Sequence, residues 1–214
     1  MQAMTFRPPE RPCFPPFVQW QGMHRFLSPP ECRELIDVGT SGMLGLGMIG
    51  NAVNDGFKLD KTYRCVRTRA LFAAADKVGW LYQRIYQLVG LANDAQYRFD
   101  LTSIEEGIQF LRYDEPSTAE QQPGHYRWHQ DFGGGRSSLR KLSLVVQLSE
   151  PEEYEGCELR MFTDTDFAPN GPDGPLKGQG DAVLFPSWTP HMVTPITRGT
   201  RYALAAWVCG PQLR

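Results

Sequence analysis

The sequence lacks any hydrophobic run approaching the roughly 20 residues that cross a bilayer, and its proline-rich opening, residues 1–16, has no apolar core of signal-peptide type. These absences predict a soluble, cytoplasmic protein with no membrane partner. No cationic excess exists to draw nucleic acid, since 22 Lys and Arg face 24 Asp and Glu. Cysteine is sparse: Cys13, Cys32, Cys65, Cys157 and Cys209 are odd in number and without C-x-x-C spacing. That pattern argues against a disulfide framework or a thiolate zinc site and predicts reduced thiols. No βαβ repeat surrounds Gly45-Leu-Gly-Met-Ile-Gly50, and this G-x-G-x-x-G follows a helical pattern, not a strand. It therefore reads as a glycine-rich loop and not as a dinucleotide site. The stretch 40–60 reads either as a lid over a site or as an ordinary surface loop.

Glycine and proline, by contrast, are plentiful, at 21 and 17 of 214 residues, as many short strands joined by turns require. A hydrophobic share of 41% is enough to bury a real core. The expected organisation is one domain over 1–214. An arm occupies 1–16, a helical support with the glycine-rich loop spans 17–104, and a β core spans 105–210. Ser28-Pro-Pro-Glu31 is a capping box that starts a short helix, and Val78, Leu81, Ile85 and Leu88 recur at helical spacing within a second helix over about 74–91. Strands are expected near 97–102, 106–113, 125–131, 140–148, 157–163, 181–185, 191–195 and 201–208.

Within that core, His129 and Asp131 stand two positions apart, so on a regular strand they point to one face while Gln130 points to the other. With His191 they make a two-histidine, one-carboxylate set, which grips one face of a metal such as ferrous iron and leaves the other face open. A His-x-Asp pair alone is as readily a pair of surface or core groups. Arg201 adds weight, because it opens the apolar run Tyr202 to Val208 and a buried guanidinium needs a partner. A dicarboxylate ligand is one such partner and a structural Asp or Glu is another.

His129-x-Asp131, His191 and Arg201, ten positions after the second histidine, make the chain resemble the iron(II) and 2-oxoglutarate-dependent dioxygenases of the prolyl 4-hydroxylase type. Tyr113, the segment Gly156-Cys-Glu-Leu-Arg-Met-Phe162 and the Arg201-Tyr-Ala ending support the likeness across about half the chain. The resemblance implies a mainly β fold with flanking helices, a double-stranded β-helix or cupin-like jelly roll. It implies Fe(2+) held by His129, Asp131 and His191, with 2-oxoglutarate chelating the metal and reaching Arg201, O2 as co-reactant, and ascorbate as a possible reductant. Tyr113 stands where some relatives place a cosubstrate-binding tyrosine; a core tyrosine is the plainer reading. A second such tyrosine would fall near Gln147, so that contact is altered here, with Thr200 or Thr194 as replacements.

The implied reaction is hydroxylation of an unactivated C–H bond, with 2-oxoglutarate decarboxylated to succinate and CO2. The retained Asp131 favours hydroxylation over halogenation. The substrate expected is an amino acid side chain, prolyl in type, free or within a peptide or protein; oligomeric state is open. Arg127, sharing strand parity with His129, and Trp188, at the turn before His191, are candidate substrate contacts, with Arg69 and Arg112 as further carboxylate anchors. Competing readings are oxidation of a small molecule outside the amino acids, a cupin-like metalloenzyme that does not use 2-oxoglutarate, and a binding module that keeps only the scaffold.

Overall fold

The computed structural model describes residues 19–50, 56–162, 170–171 and 174–212; the arm at 1–16 and the tip of the glycine-rich loop lie outside these ranges. In chain order the elements are β1 (Gln21–Met23), α1 (Pro29–Thr40), β2 (Gly45–Leu46), β3 (Ile49–Gly50), β4 (Phe57–Lys58), β5 (Arg64–Cys65), β6 (Arg67–Leu71) and α2 (Gly79–Ala92). Then follow β7 (Ile108–Asp114), β8 (His125–His129), β9 (Arg140–Gln147), β10 (Tyr154–Gly156), β11 (Leu159–Met161), β12 (Asn170–Gly171), β13 (Gly174–Pro175), β14 (Ala182–Pro186), β15 (His191–Val193) and β16 (Ile196–Cys209).

Two antiparallel sheets carry the molecule. The larger runs β1-β14-β9-β16-β7-β6-β2, with β10 on the outer part of β16, and the smaller runs β11-β15-β8-β5. This is the jelly roll expected. The central strands β9 and β14 and the later half of β16 are buried on both faces, so they read as apolar runs whose alternate residues serve different layers. Phe110, Leu144, Leu204 and Ala206 join Leu81, Ile85 and Val89 of α2 in one core cluster. Leu111, Tyr113, Ala203, Ala205 and Trp207, from the opposite parity, join Phe185 and Val193 in a second cluster between the sheets. The site lies in this second layer.

α1 begins as the capping box dictates, with Glu31 accepting from the Ser28 backbone N–H at 2.8 Å. Its Gly39 is where Phe110 of β7 comes closest; a Cβ there would sit 2.4 Å from the Phe110 ring. Three boundaries differ from expectation. The second helix starts at Gly79, not near 74, because Lys77 takes a left-handed φ of 58° and ends the preceding turn. The expected strand at 97–102 does not form: a π-helical turn, Asn93–Tyr97, precedes it, closed by left-handed Arg98 and held by paired hydrogen bonds between Asn93 and Phe99, and 98–102 are irregular. β16 begins at Ile196, five residues before Arg201, so the arginine sits inside a strand and not at its start.

Candidate active site

His129 ends β8 and His191 opens β15, and the two residues are directly paired across the smaller sheet. Asp131 lies just past β8, where its backbone N–H and that of Phe132 both donate to the Ser187 carbonyl at 2.9 Å. The three side chains offer donor atoms that all lie within 4.8 Å of one another. His129 Nε2 is 3.8 Å from Asp131 Oδ1, and His191 Nε2 is 3.6 Å from Asp131 Oδ2. These gaps are too long for hydrogen bonds, yet one ion with bonds of about 2.1 Å can bridge each of them.

Each histidine has its tautomer fixed from behind. His129 Nδ1 lies 2.7 Å from the Arg127 carbonyl and His191 Nδ1 lies 3.0 Å from the Thr189 carbonyl. A carbonyl only accepts, so each Nδ1 carries a proton and each Nε2 is the atom turned to the common point. Burial, reinforced by the neighbouring His191, pushes His129 down to about 3, which keeps it a neutral ligand. Burial alone would raise the Asp131 carboxyl, but the facing His191 and His129 outweigh it and hold the group below its ordinary value as a carboxylate. Ser143 of β9 donates its hydroxyl to Asp131 Oδ2 at 2.8 Å, and Arg140 donates to the Asp131 carbonyl while its own charge is met by Glu106. Arg140 also lies 3.9 Å from the centre of the Trp207 ring, whose indole N–H is directed at Asp131 without closing a full hydrogen bond. Two imidazoles and one carboxylate, each braced from behind, fit a divalent transition metal.

The donors open onto a cavity of about 40 Å³ between the sheets, lined among others by Tyr113, Tyr126, Val145, Leu159, Ala203 and Arg201. A larger depression of about 260 Å³ lies elsewhere, around Arg67, Arg112 and Asp114 on the outer side of β7, and holds none of the metal donors. Arg201 is 1% exposed and meets no carboxylate among the described residues. Its Nε–H donates to Gln147 Oε1 at 2.8 Å, Nη1 approaches Cys157 Sγ at 3.9 Å, and buried Nη2 has no partner. Tyr113, paired with Arg201 across β7 and β16, presents its ring 5.3 Å from the guanidinium. Gln147 thus stands where the sequence placed the altered contact. Thr200 and Thr194 do not replace it, since they bond to Asp114 and to the Glu158 backbone.

The other expected contacts fall elsewhere. A bulge between β8 and β15 shifts the register between the His129–His191 and Tyr126–Val193 pairs, so strand parity from His129 fails. Tyr126, not Arg127, turns to the cavity and stacks on His129 with ring centres 3.4 Å apart; Arg127 is exposed. Trp188 packs edge-on against Phe99 and Phe132 and accepts from Gln130 through its carbonyl, away from the cavity lining. Arg69 pairs with Asp76 beneath α1, and Arg112 pairs with Asp114 at 2.7 Å. Residues that sequence reasoning missed are Tyr126, Ser143, Arg140 and Arg64, which lies 4.6 Å over the Tyr126 ring.

The family profile of the 2OG-Fe(II) oxygenase superfamily matches residues 108–209, which hold every metal donor just described. The matched stretch is just under half of the chain and carries the likeness to that superfamily. The chain is 43% identical over 91 residues to a PKHD-type hydroxylase of Acidovorax ebreus, covering 40% of this chain and 38% of that protein. It is 38% identical over 105 residues to a PKHD-type hydroxylase of Janthinobacterium, covering 46% and 44%. The matched stretch is thus less than half of these curated relatives. Among solved structures, a Pseudomonas putida prolyl-4-hydroxylase superposes with a TM-score of 0.64 at 21% identity, covering 90% of this chain and 93% of that one. A Trichoplax adhaerens prolyl hydroxylase, solved with a peptide fragment, gives 0.65 at 16%, covering 90% and 84%. Both share the oxygenase fold.

Proposed function

We propose that this protein is an Fe(II)/2-oxoglutarate-dependent dioxygenase that hydroxylates a C–H bond of a prolyl-type amino acid residue, free or in a peptide. In this reading residues 105–210 carry the chemistry and 17–104 brace it. His129, Asp131 and His191 would hold the metal, and Arg201 with Tyr113 would receive the far carboxylate of the cosubstrate. When bound, iron with 2-oxoglutarate and dioxygen supplies the oxidising power, with succinate and CO2 as co-products.

The observation that carries the reading is Arg201. A fully buried guanidinium with no acidic partner among the described residues and an unpaired Nη2 is a costly feature that a bound carboxylate would offset with charge-assisted hydrogen bonds. It lines the same cavity as the metal donors, so it would receive the far carboxylate of a keto acid chelated there. The apolar walls, Val145, Leu159, Ala203 and Ala205, exclude water from the space between. Tyr113 stays a phenol, since burial pushes it up to about 12, and its ring faces the guanidinium.

Anaerobic titration of the iron-loaded protein with 2-oxoglutarate tests this directly. A visible metal-to-ligand charge-transfer band should grow to one equivalent, and Arg201→Met should raise the concentration needed by about a hundredfold, the scale of a lost buried charge pair. No band in the wild type sinks the reading.

A further inference from the structure

A second uncompensated arginine shares the cavity. Arg64 of β5 lines it beside Tyr126 and Gln109, and no carboxylate among the described residues pairs with it. Its terminal nitrogens are held by neutral acceptors, Nη1 by the Met48 carbonyl and Nη2 by Gln109 Oε1, both at 2.8 Å. Each of these nitrogens keeps a second N–H. The Tyr126 ring lies under the head group and Gly47 of the glycine-rich loop lies close against it. A Cβ at Gly47 would come within 2.9 Å of Arg64 Nε. The G-x-G-x-x-G stretch therefore makes room for a guanidinium, not for a phosphate.

Counting charge around the site decides what this arginine awaits. On the proposed function, on which this step rests, the two charges of the metal, Asp131, the two cosubstrate carboxylates and Arg201 cancel. Arg140 is already neutralised by Glu106. Arg64 is left over as one positive charge, fixed on the ring that stacks on His129. A partly buried cation facing a low-dielectric cavity favours one more anion. From this geometry we infer that the substrate presents a carboxylate to Arg64, so that it is a free amino acid or the C-terminal residue of a peptide, not an internal residue of a chain.

The test uses redox-inert zinc-loaded protein saturated with 2-oxoglutarate and follows calorimetrically the binding of N-acetyl-L-proline, L-proline and N-acetyl-L-prolinamide. The acids should bind at least about tenfold more tightly than the amide, and Arg64→Met should erase that preference while Arg64→Lys keeps part of it. Tighter binding of N-acetyl-L-proline points to a peptide C-terminus, and tighter binding of L-proline to the free amino acid. Equal binding of acid and amide, unchanged binding by Arg64→Met, or no binding of either acid up to about 10 mM overturns the inference. Failure of 2-oxoglutarate itself to bind the zinc-loaded wild type is a different result, and it counts against the proposed function.

Discussion

Asp131 is the most heavily supported side chain of the site, and its supports come from parts of the sequence that carry no motif. Ser143 reaches its Oδ2, Arg140 holds its carbonyl, and Ser187 takes its backbone N–H. Partners of this kind orient a ligand and are worth about 10- to 100-fold in metal affinity. Ser143→Ala should therefore weaken metal binding about tenfold in a chelator competition, whereas Asp131→Ala should abolish it. That His129, Asp131 and His191 would come together was legible, because spacing and residue type suggest it. Tyr126 was not, since the bulge that turns it inward depends on how β8 pairs with a strand more than 60 residues away, and no local pattern encodes that. Gln147 was legible only as a missing tyrosine; its contact with Arg201 required the register of β9 against β16.

At the scale of elements, the two helices are tied to each other by one carboxylate. Glu31 closes the capping box of α1 and also pairs with Arg84 of α2 at 2.8 Å. The Arg84 hydrogen bond, with the Ser28 backbone N–H, pulls Glu31 down to about 2 from an ordinary value of 4.5. A carboxyl whose folded pKa lies below its unfolded one stabilises the protein above pH 4.5, and that contribution fades as pH falls from 4.5 towards 2. Both partners are about a third exposed, so solvent screening leaves about 1 kcal/mol. Glu31→Gln should cost about that much at pH 7 and nothing at pH 2, measured by urea unfolding at the two pH values. This capping box was readable from Ser28-Pro-Pro-Glu31 because both partners are local. The start of α2 was not, because its boundary turns on the left-handed backbone of Lys77, and lysine carries no signal for that conformation.

Across the whole molecule the larger sheet separates two layers with different duties, and the alternating residues of β7, β9 and β16 supply both. On one side Leu81, Ile85 and Phe110 pack helix to sheet; on the other Phe185 sits edge-on to His191 with ring centres 4.8 Å apart. The apolar runs foretold buried strands, yet which parity faces the helices and which faces the cavity follows only from the pairing of distant strands. This division yields a paired prediction. Leu81→Ala removes a fully buried side chain from the helix layer and should cost about 2 to 5 kcal/mol, lowering the thermal midpoint by several degrees. Metal and 2-oxoglutarate affinities should hold within about twofold below that midpoint, because the lost contacts lie on the far face of the sheet from the donors. Phe185→Ala should cost a similar stability and, by freeing the His191 ring, weaken metal binding about tenfold as well. Thermal unfolding of each variant with and without metal separates the two outcomes. Equal metal stabilisation of both variants would mean that the layers are not independent in this way.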